Sequence, residues 1–140
     1  MISATSEYAL RALVSLADAE GGAAKQAREL ALETKVPPSY LYKILTSLRR
    51  AGILAGTRGH RGGYSLARSP REIRLFEVVS LFEVVRHNDS CLLGRSEPCD
   101  DNHACSAHDE WKRVRQVYND FLTAKTIADL AATDRRDHGE

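Results

Sequence analysis

The strongest structural signal in the sequence is PPSYLYKILTSLRRAGILAGTRGHRGGYSLA, residues 37–67. Consecutive prolines stop a helix, and the second, Pro38, can sit in the first turn of a new one. Apolar residues then recur at helical spacing on one face, at Leu41, Ile44, Leu45 and Leu48. Gly52 stands where a glycine commonly follows a helix terminus. These features predict a helix that begins at Pro38 and ends just before Gly52.

The rest of the same stretch predicts a β-hairpin. Short β-type runs at 53–54 and 64–66 flank a glycine-rich, basic tip. Glycines let a backbone approach another surface closely, and arginines suit phosphate groups or a narrow minor groove. We therefore interpret the hairpin as a wing that contacts nucleic acid through Arg58 and Arg61.

Helical patterns lie on both sides of this stretch. Upstream, apolar spacing predicts a helix over 6–19, then a glycine pair and a short helix within 25–35. Together with the helix at Pro38, the short helix predicts a helix-turn-helix. Downstream, the apolar run 75–85 favours a fourth, packed helix over a buried strand because of its length.

The net charge of +1 averages two halves of opposite sign. Residues 1–74 contain twelve Lys or Arg against six Asp or Glu, whereas residues 75–140 contain eight against thirteen. Within 35–74, nine positive residues face a single acid, Glu72. A solvated basic face would explain such a block by itself. On a helix-turn-helix with a basic wing, it indicates binding to the phosphate backbone of double-stranded DNA.

The candidate DNA contacts are divided between the third helix and the wing. Residues at the start of that helix are expected to face the major groove, and two arginines near its end are expected to contact the backbone. The groove-facing set is Ser39, Tyr40, Tyr42 and Lys43, and the backbone set is Arg49 and Arg50. Tyr40 is also compatible with a partly buried position.

A long amphipathic helix is predicted over about 107–125. Its apolar repeat is formed by Trp111, Val114, Tyr118, Phe121 and Leu122. This stripe could fold back on its own domain, but two-fold dimers read pseudo-palindromic DNA, so we predict that it pairs with a second copy. The segment TIADLAATDRRDHGE is expected to form one apolar turn and then a disordered polar tail.

The whole chain predicts one mainly α fold with a small β-hairpin. We expect a winged helix-turn-helix over 1–86, a cysteine-rich loop over 87–107, a dimerisation helix and short terminal helix over 108–132, and a disordered tail over 133–140. The opening residues lack a basic n-region, and charged residues interrupt their apolar stretch. Neither a signal peptide nor a membrane span is therefore expected, and the default location is the cytoplasm.

All three cysteines lie within fifteen residues, at Cys91, Cys99 and Cys105. An odd number in an apparently intracellular protein favours metal ligands or reactive thiols over a disulfide framework. The spacing C-x7-C-x5-C differs from the C-x2-C knuckles of zinc sites and from ferredoxin motifs. Zinc bound with His103 or His108, a metal-free thiol sensor and an iron-sulfur cluster all stay open on spacing alone.

The order and spacing of these strings resemble the iron-sulfur-cluster winged helix-turn-helix transcription regulators of the IscR, NsrR and RirA type. The resemblance covers nearly the whole chain, from EYALRALVSLA through PPSYLYKILTSLRRAGIL, TRGHRGGYSLARSP, LFEVV and the cysteine loop to Trp111 and TIADL. It implies a homodimer that binds DNA through its winged units and pairs through its C-terminal helices. It also implies a regulator, mostly a repressor, of genes for cluster assembly, iron uptake or stress responses.

The resemblance further implies a 2Fe-2S or 4Fe-4S cluster held by the three cysteines, whose spacing resembles the family's cluster motif. Two residues are candidates for the fourth ligand. His108 follows Cys105 as C-x2-H, and Glu7 lies where some family members supply an acidic residue across the dimer interface. A nitrogen or oxygen ligand is more exchangeable than thiolate, so it would leave one corner open to nitric oxide, oxygen or iron loss.

Two other classes of function are weaker. The cysteine segment offers no glycine-rich nucleotide cradle and no base-orienting pattern, so an enzyme is not expected. A winged unit that binds another protein is the alternative to DNA binding. Some family members read a base with a glutamate where this chain has Tyr42. The resemblance therefore does not transfer an operator sequence.

Overall fold

The computed structural model describes residues 2–59, 62–83, 92–93, 102 and 104–137, with side chains as far as 132. Within these ranges the helices are α1 Ala4–Ala17, α2 Ala27–Thr34, α3 Pro38–Arg50, α4 Leu75–Phe82, α5 His108–Ala124 and α6 Ile127–Asp137. The hairpin strands are β1 Leu54–Thr57 and β2 Gly63–Leu66. No helix in the described ranges is long and apolar enough to cross a membrane. The prediction of a mainly α fold with a small hairpin is confirmed.

The third helix, α3, begins and ends as its sequence predicts. Pro38 occupies its first turn, and Ala51 is its C-cap. Gly52 follows with φ 77, a left-handed conformation that glycine adopts without strain. The N–H of Ile53 then donates to the carbonyl of Leu48 at 3.0 Å. This C-terminal cap ends α3, and the chain continues directly into the hairpin.

The bounds of α1 and α4 differ from the predicted ones. α1 begins at Ala4, because Ser3 caps it and accepts a hydrogen bond from the N–H of Ser6. α4 ends at Phe82 rather than at 85, because Glu83 already has extended backbone angles, φ -133 and ψ 144. Residues 84–85 lie outside the described part of the chain.

The wing is a two-stranded antiparallel hairpin in which Thr57 lies opposite Gly63. Lys25, which the sequence places in a short helix, instead forms a bridge to it. The N–H of Lys25 donates to the carbonyl of Tyr64 at 2.9 Å, and the N–H of Tyr64 donates back at 2.8 Å. Gly63 permits this approach, since a Cβ there would lie 2.4 Å from the carbonyl oxygen of Lys25. The bridge attaches the wing to the segment before α2.

A single cluster of buried side chains joins the winged unit to the C-terminal helices. Its members include Leu13, Leu16, Leu30, Leu41, Ile44, Leu45, Leu48, Ile53, Leu75, Val78, Leu122 and Ile127. Burying one Leu, Ile or Val side chain contributes roughly 1.5–3 kcal/mol. Every core position predicted for α3 belongs to this cluster, which leaves the opposite face of α3 for solvent.

The C-terminal helices fold back onto the winged unit. The N–H of Leu75 donates to the carbonyl of Lys125, and that of Ile127 donates to the carbonyl of Ile73, both at 3.0 Å. Leu122 is fully buried next to this connection. The sequence predicts Leu122 in a dimer interface, but it packs in the core of its own chain, because α5 turns that face toward α4.

The last helix, α6, continues to Asp137, whereas the sequence predicts one apolar turn and a disordered tail from 133. A capping box begins the helix: the N–H of Thr126 donates to the Asp129 carboxylate at 2.9 Å, and the N–H of Asp129 donates to the Thr126 hydroxyl at 3.3 Å. The hydrogen bonds from Thr126 hold the pKa of Asp129 below its ordinary value. The cap therefore fixes the start of a helix that packs against α1.

Candidate functional site

The outer face of α3 is exposed, as a groove-reading surface must be. The four predicted groove-facing residues all lie there: Ser39, Tyr40, Tyr42 and Lys43. Tyr42 is the more open of the two tyrosines, at 59% exposure against 37% for Tyr40. Between α2 and α3, Lys35 adopts a left-handed conformation with φ 57, which turns the chain sharply. The two helices and this turn form the predicted helix-turn-helix.

Tyr40 contacts α1 as well as solvent. Its ring meets the Tyr8 ring edge to face, with centroids 5.7 Å apart and an interplanar angle of 89°. Its hydroxyl forms a hydrogen bond with the hydroxyl of Thr5. Edge-to-face aromatic pairs are worth roughly 0.5–1.5 kcal/mol beyond their buried area. The alternative of a partly buried Tyr40 therefore describes the structure better than a purely groove-facing side chain.

Arg49 lies across the first strand of the wing. A Cβ placed on Gly56 would be 3.2 Å from Cδ of Arg49 and 3.3 Å from its Nη1. Glycine at this position therefore leaves room for the arginine stem to rest against β1. Arg50, its neighbour, is exposed. The sequence shows that two basic residues lie at the end of α3. The close approach of Arg49 to the wing, however, depends on tertiary packing.

Two local hydrogen bonds stabilise the end of the hairpin. The N–H of Gly63 donates to the Thr57 hydroxyl at 3.0 Å, and the N–H of Gly62 donates to the carbonyl of Gly59 at 2.9 Å. Arg58 is exposed at the start of this turn. The other predicted wing arginine, Arg61, lies outside the described residues. Arg58 directly follows β1, so it lies at the described end of the first strand of the wing.

The described part of the cysteine segment contains one predicted ligand cysteine. Cys105 is half-buried, and its carbonyl accepts a hydrogen bond at 3.1 Å from the N–H of His108. His108 is the first residue of α5 and is 7% exposed. Cys91 and Cys99 lie outside the described residues. Within the described ranges, no three His, Cys, Asp or Glu side chains come together as a metal site.

The other candidate ligand, Glu7, lies on the exposed side of α1. Its carboxylate forms an ion pair with Arg11 one turn later, and the side chain is 54% exposed. The Arg11 guanidinium also lies over the Tyr8 ring, 5.5 Å from its centroid. Glu7 borders an open surface cavity of about 1050 Å³. The structure thus places Glu7 and His108 in different settings, one exposed and one buried.

α5 carries two different faces where the sequence predicts one dimer stripe. Its inner face contains two half-buried aromatic residues and the buried Leu122, together with Arg115, which is 7% exposed. The half-buried aromatics are Trp111 and Tyr118. Burial and the nearby charge of Glu83 raise the pKa of Tyr118.

The outer face of α5 carries an exposed apolar stripe formed by Val114, Val117 and Phe121, which are 44%, 68% and 43% exposed. This outer stripe keeps two of the predicted dimer residues, Val114 and Phe121. It also contains Val117, which is not among the predicted dimer residues. Val117 follows Val114 by three residues and precedes Phe121 by four, so the spacing alone could have placed it on the same face.

Comparisons with known proteins agree with this architecture. The Rrf2 family, described as iron-dependent transcriptional regulators, matches residues 2–133. An rrf2-like HTH-type transcriptional regulator of Rhodobacter capsulatus is 37% identical over 139 residues, which cover 94% of this chain and 93% of the relative. The structure of T. potens IscR has a TM-score of 0.77 at 23% identity and covers 98% and 90% of the two chains. The oxidized form of Staphylococcus aureus CymR has a TM-score of 0.73 at 29% identity, with 94% and 95% covered.

Proposed function

Because the chain belongs to the Rrf2 family of transcriptional regulators, we propose that it is a homodimeric repressor whose DNA binding responds to an iron-sulfur cluster. Family membership establishes transcription regulation and DNA binding, and it excludes an enzyme. The sensing part rests mainly on one observation: Cys105 and His108 share a turn at the start of α5. A thiolate and an imidazole in one turn suit iron better than Mg²⁺ or Ca²⁺, which prefer oxygen ligands. The signal would be iron, nitric oxide or redox state, in the cytoplasm.

DNA reading is assigned to the exposed face of α3 and to the wing. Ser39, Tyr42 and Lys43 would approach base edges in the major groove, where each base pair presents a distinct pattern. Arg58 and Arg61 would contact phosphates or the adjacent minor groove. Arg49 and Arg50 would contact the backbone, which orients the helix without reading sequence.

The dimer is assigned to the outer stripe of α5. Its inner face packs on the same protomer, so Val114, Val117 and Phe121 form the surface that a second copy would cover. Two-fold pairing of such a stripe gives an isologous interface, in which each copy uses the same residues. Two recognition helices related by this axis would read the two halves of a pseudo-palindromic operator.

The cluster, 2Fe-2S or 4Fe-4S, is assigned to Cys91, Cys99 and Cys105, with a fourth ligand from His108 or from Glu7 of the partner subunit. When bound, it would supply an iron corner that nitric oxide, oxygen or iron loss can alter. His108 already neighbours Cys105 in the same protomer. Glu7 borders an open cavity and would have to exchange its ion pair with Arg11 for the metal.

Anaerobic purification followed by absorption and electron paramagnetic resonance spectroscopy tests this proposal. We expect a coloured protein whose spectrum is lost in Cys91→Ser, Cys99→Ser and Cys105→Ser. Of His108→Ala and Glu7→Gln, the variant that changes the spectrum identifies the fourth ligand, and Glu20→Gln serves as an exposed acidic control. A protein that stays colourless after reconstitution with iron and sulfide, but still binds DNA, would contradict the cluster.

A second candidate is a regulator of the same family that uses its thiols without a cluster, for zinc binding or redox sensing. The likeness to the oxidized form of Staphylococcus aureus CymR favours considering it. Metal analysis and thiol mass spectrometry separate the two candidates. Stoichiometric zinc, or DNA affinity that changes with thiol oxidation in colourless protein, would support the second one.

A further inference from the structure

The first turn of α1 lies between two distant parts of the chain. We call residues 3–8 the leading turn. Ser3 and Ser6 lie on one side of it, and Thr5 and Tyr8 lie on the other. Because a helix turns about 100° per residue, the midpoints of the two pairs are about 200° apart around the axis. The leading turn therefore has two nearly opposite faces, and each contacts a different element.

One face is attached to the end of α4. The N–H of Ser3 donates to Oε1 of Glu83 at 2.5 Å. Burial alone would raise the pKa of Glu83, but hydrogen bonds from Ser3 and Ser6 outweigh this effect and hold the pKa below its ordinary value. Glu83 is the last described residue before 84–91, which contain the first cysteine. The leading turn is thus attached to the residue from which the chain continues into the cysteine segment.

The opposite face is attached to the recognition helix. Thr5 and Tyr8 both contact Tyr40, through a hydroxyl pair and an edge-to-face ring contact. Tyr40 lies in the first turn of α3, where its N–H donates to the carbonyl of Pro37 at 3.1 Å. Ser39 and Tyr42, which are assigned to the major groove, lie on either side of Tyr40 in the sequence of α3. A displacement of the leading turn would therefore act directly on the end of α3 that reads DNA.

We propose that the leading turn of α1 connects the cysteine segment to the recognition helix, with Glu83 and Tyr40 as its two attachment points. Tyr40 is then a positioning residue in addition to any contact it makes with DNA. The inference rests on the proposed function, because it names the route by which a change in the cysteine segment alters DNA affinity. Ser6 and Ala9 are fully buried behind the turn, so it moves with its neighbours rather than sliding past them.

A double-mutant cycle on DNA affinity tests the attachment at Tyr40. The probe is an operator duplex selected from a random library with the wild-type protein. Tyr8→Leu and Tyr40→Leu are each expected to weaken binding by about 2- to 10-fold, the range expected for loss of an aromatic pair. The double variant should bind DNA as tightly as the single variant with the lower affinity, because both changes remove the same contact. Tyr8→Phe, which keeps the ring, should restore nearly full affinity.

The matched control replaces Tyr42, which lies two residues after Tyr40 and is exposed at the opposite edge of the outer face of α3. The losses from Tyr8→Leu and Tyr42→Leu should multiply, since those residues act separately. Circular dichroism must show that each variant keeps its helical content. If the losses from Tyr8→Leu and Tyr40→Leu also multiply, Tyr40 does not transmit the position of the leading turn, and the proposal is overturned.

Hydrogen exchange tests the attachment at Glu83. Glu83→Ala should speed amide exchange in residues 3–8 and also in 38–42, because loosening the turn should loosen the start of α3. Glu77→Ala is the control: it removes the ion pair between Glu77 and Arg68, at 2.5 Å, from α4, the helix that Glu83 follows. Faster exchange confined to 3–8, or an equal effect of Glu77→Ala, overturns the proposal.

These readouts do not depend on the cluster, so the two proposals can fail separately. If the protein is colourless but Tyr8 and Tyr40 are coupled in the double-mutant cycle, the cluster is refuted and the role of the leading turn is supported. If the protein is coloured but the two losses are independent, the cluster is supported and the role of the leading turn is refuted. In coloured protein, Tyr40→Phe should leave the spectrum unchanged and reduce the ratio of DNA affinities with and without the cluster. An unchanged ratio counts against the hydroxyl contact with Thr5 as part of the route.

Discussion

Side chains on the proposed DNA-facing surface depend on contacts made outside α3. Tyr40 is oriented by Tyr8 and Thr5, and Arg49 rests against β1 where Gly56 has no side chain. Such contacts restrict long or aromatic side chains before DNA arrives, which lowers the entropy lost on binding. The residue types on α3 could be predicted from the sequence, but their orientation depends on residues that are distant along the chain.

Arg58→Ala should weaken operator binding by roughly 1–3 kcal/mol if the side chain enters the minor groove or contacts a base. The residue is exposed at the described end of the first strand of the wing. Fluorescence anisotropy on the selected operator and on a scrambled duplex measures the effect. Arg71→Ala, which removes an exposed positive charge from the same basic half, is the control. Equal losses in the two variants would mean that Arg58 contributes only general charge.

Gly63→Ala should lower the free energy of unfolding by about 2 kcal/mol or more. The backbone has φ 154, and the added Cβ would lie 2.4 Å from the carbonyl oxygen of Lys25, so the bridge to the wing must open. Chemical denaturation measures the change. Gly59→Ala is a matched control, because it has φ 106 but open space around its Cβ position and should cost less. A larger loss in Gly59→Ala would contradict this account of the bridge.

The α5 helix shows why an apolar repeat does not identify the surface that packs against it. Helical spacing correctly predicts an amphipathic helix close to His108–Ala124. The apolar residues, however, divide between the core of the protomer and an exposed stripe. Because both faces are apolar, hydropathy alone merges them into one predicted interface. Similarly, the polar composition after Ala131 hides a helix that its capping box and packing on α1 stabilise.

Val117→Glu should shift the protein toward monomer, because it places a charge in the centre of the outer stripe. Sedimentation velocity over a concentration series measures the association. Leu122→Ala should instead leave association intact and lower the free energy of unfolding by about 2–5 kcal/mol, since it opens a cavity in the core. If Val117→Glu remains as dimeric as the wild type, the outer stripe is not the dimer interface.

Opposite charges are separated along the chain. The basic first half forms the helix-turn-helix and wing, whereas the acidic excess lies in the half that contains the cysteine segment, α5 and α6. We expect this separation to direct DNA toward the winged face and away from the C-terminal half. The net charge of +1 conceals it, because net charge averages over both halves.

The affinity for DNA should therefore fall steeply with salt, although the protein is nearly neutral overall. Each phosphate neutralised contributes about -0.9 to the slope of log affinity against log salt concentration. Arg50→Ala should reduce the magnitude of the slope by about 1 and weaken specific and scrambled duplexes alike. Titrations at several salt concentrations measure the slope. A slope that Arg50→Ala leaves unchanged would remove this residue from the backbone contacts.

Local sequence patterns determined the order of the helices, the start of α3 at Pro38 and the hairpin after Gly52. Each of these features depends on residues that are only a few positions apart. The spacing of the cysteines was likewise available from the chain alone. Contacts between distant segments, in contrast, join Lys25 to the wing, bury Leu122 in the core and place Glu83 within hydrogen-bond distance of Ser3, 80 residues away. Periodicity shows that a helix has an apolar face, but the element that covers this face is chosen by packing among segments that are distant along the chain.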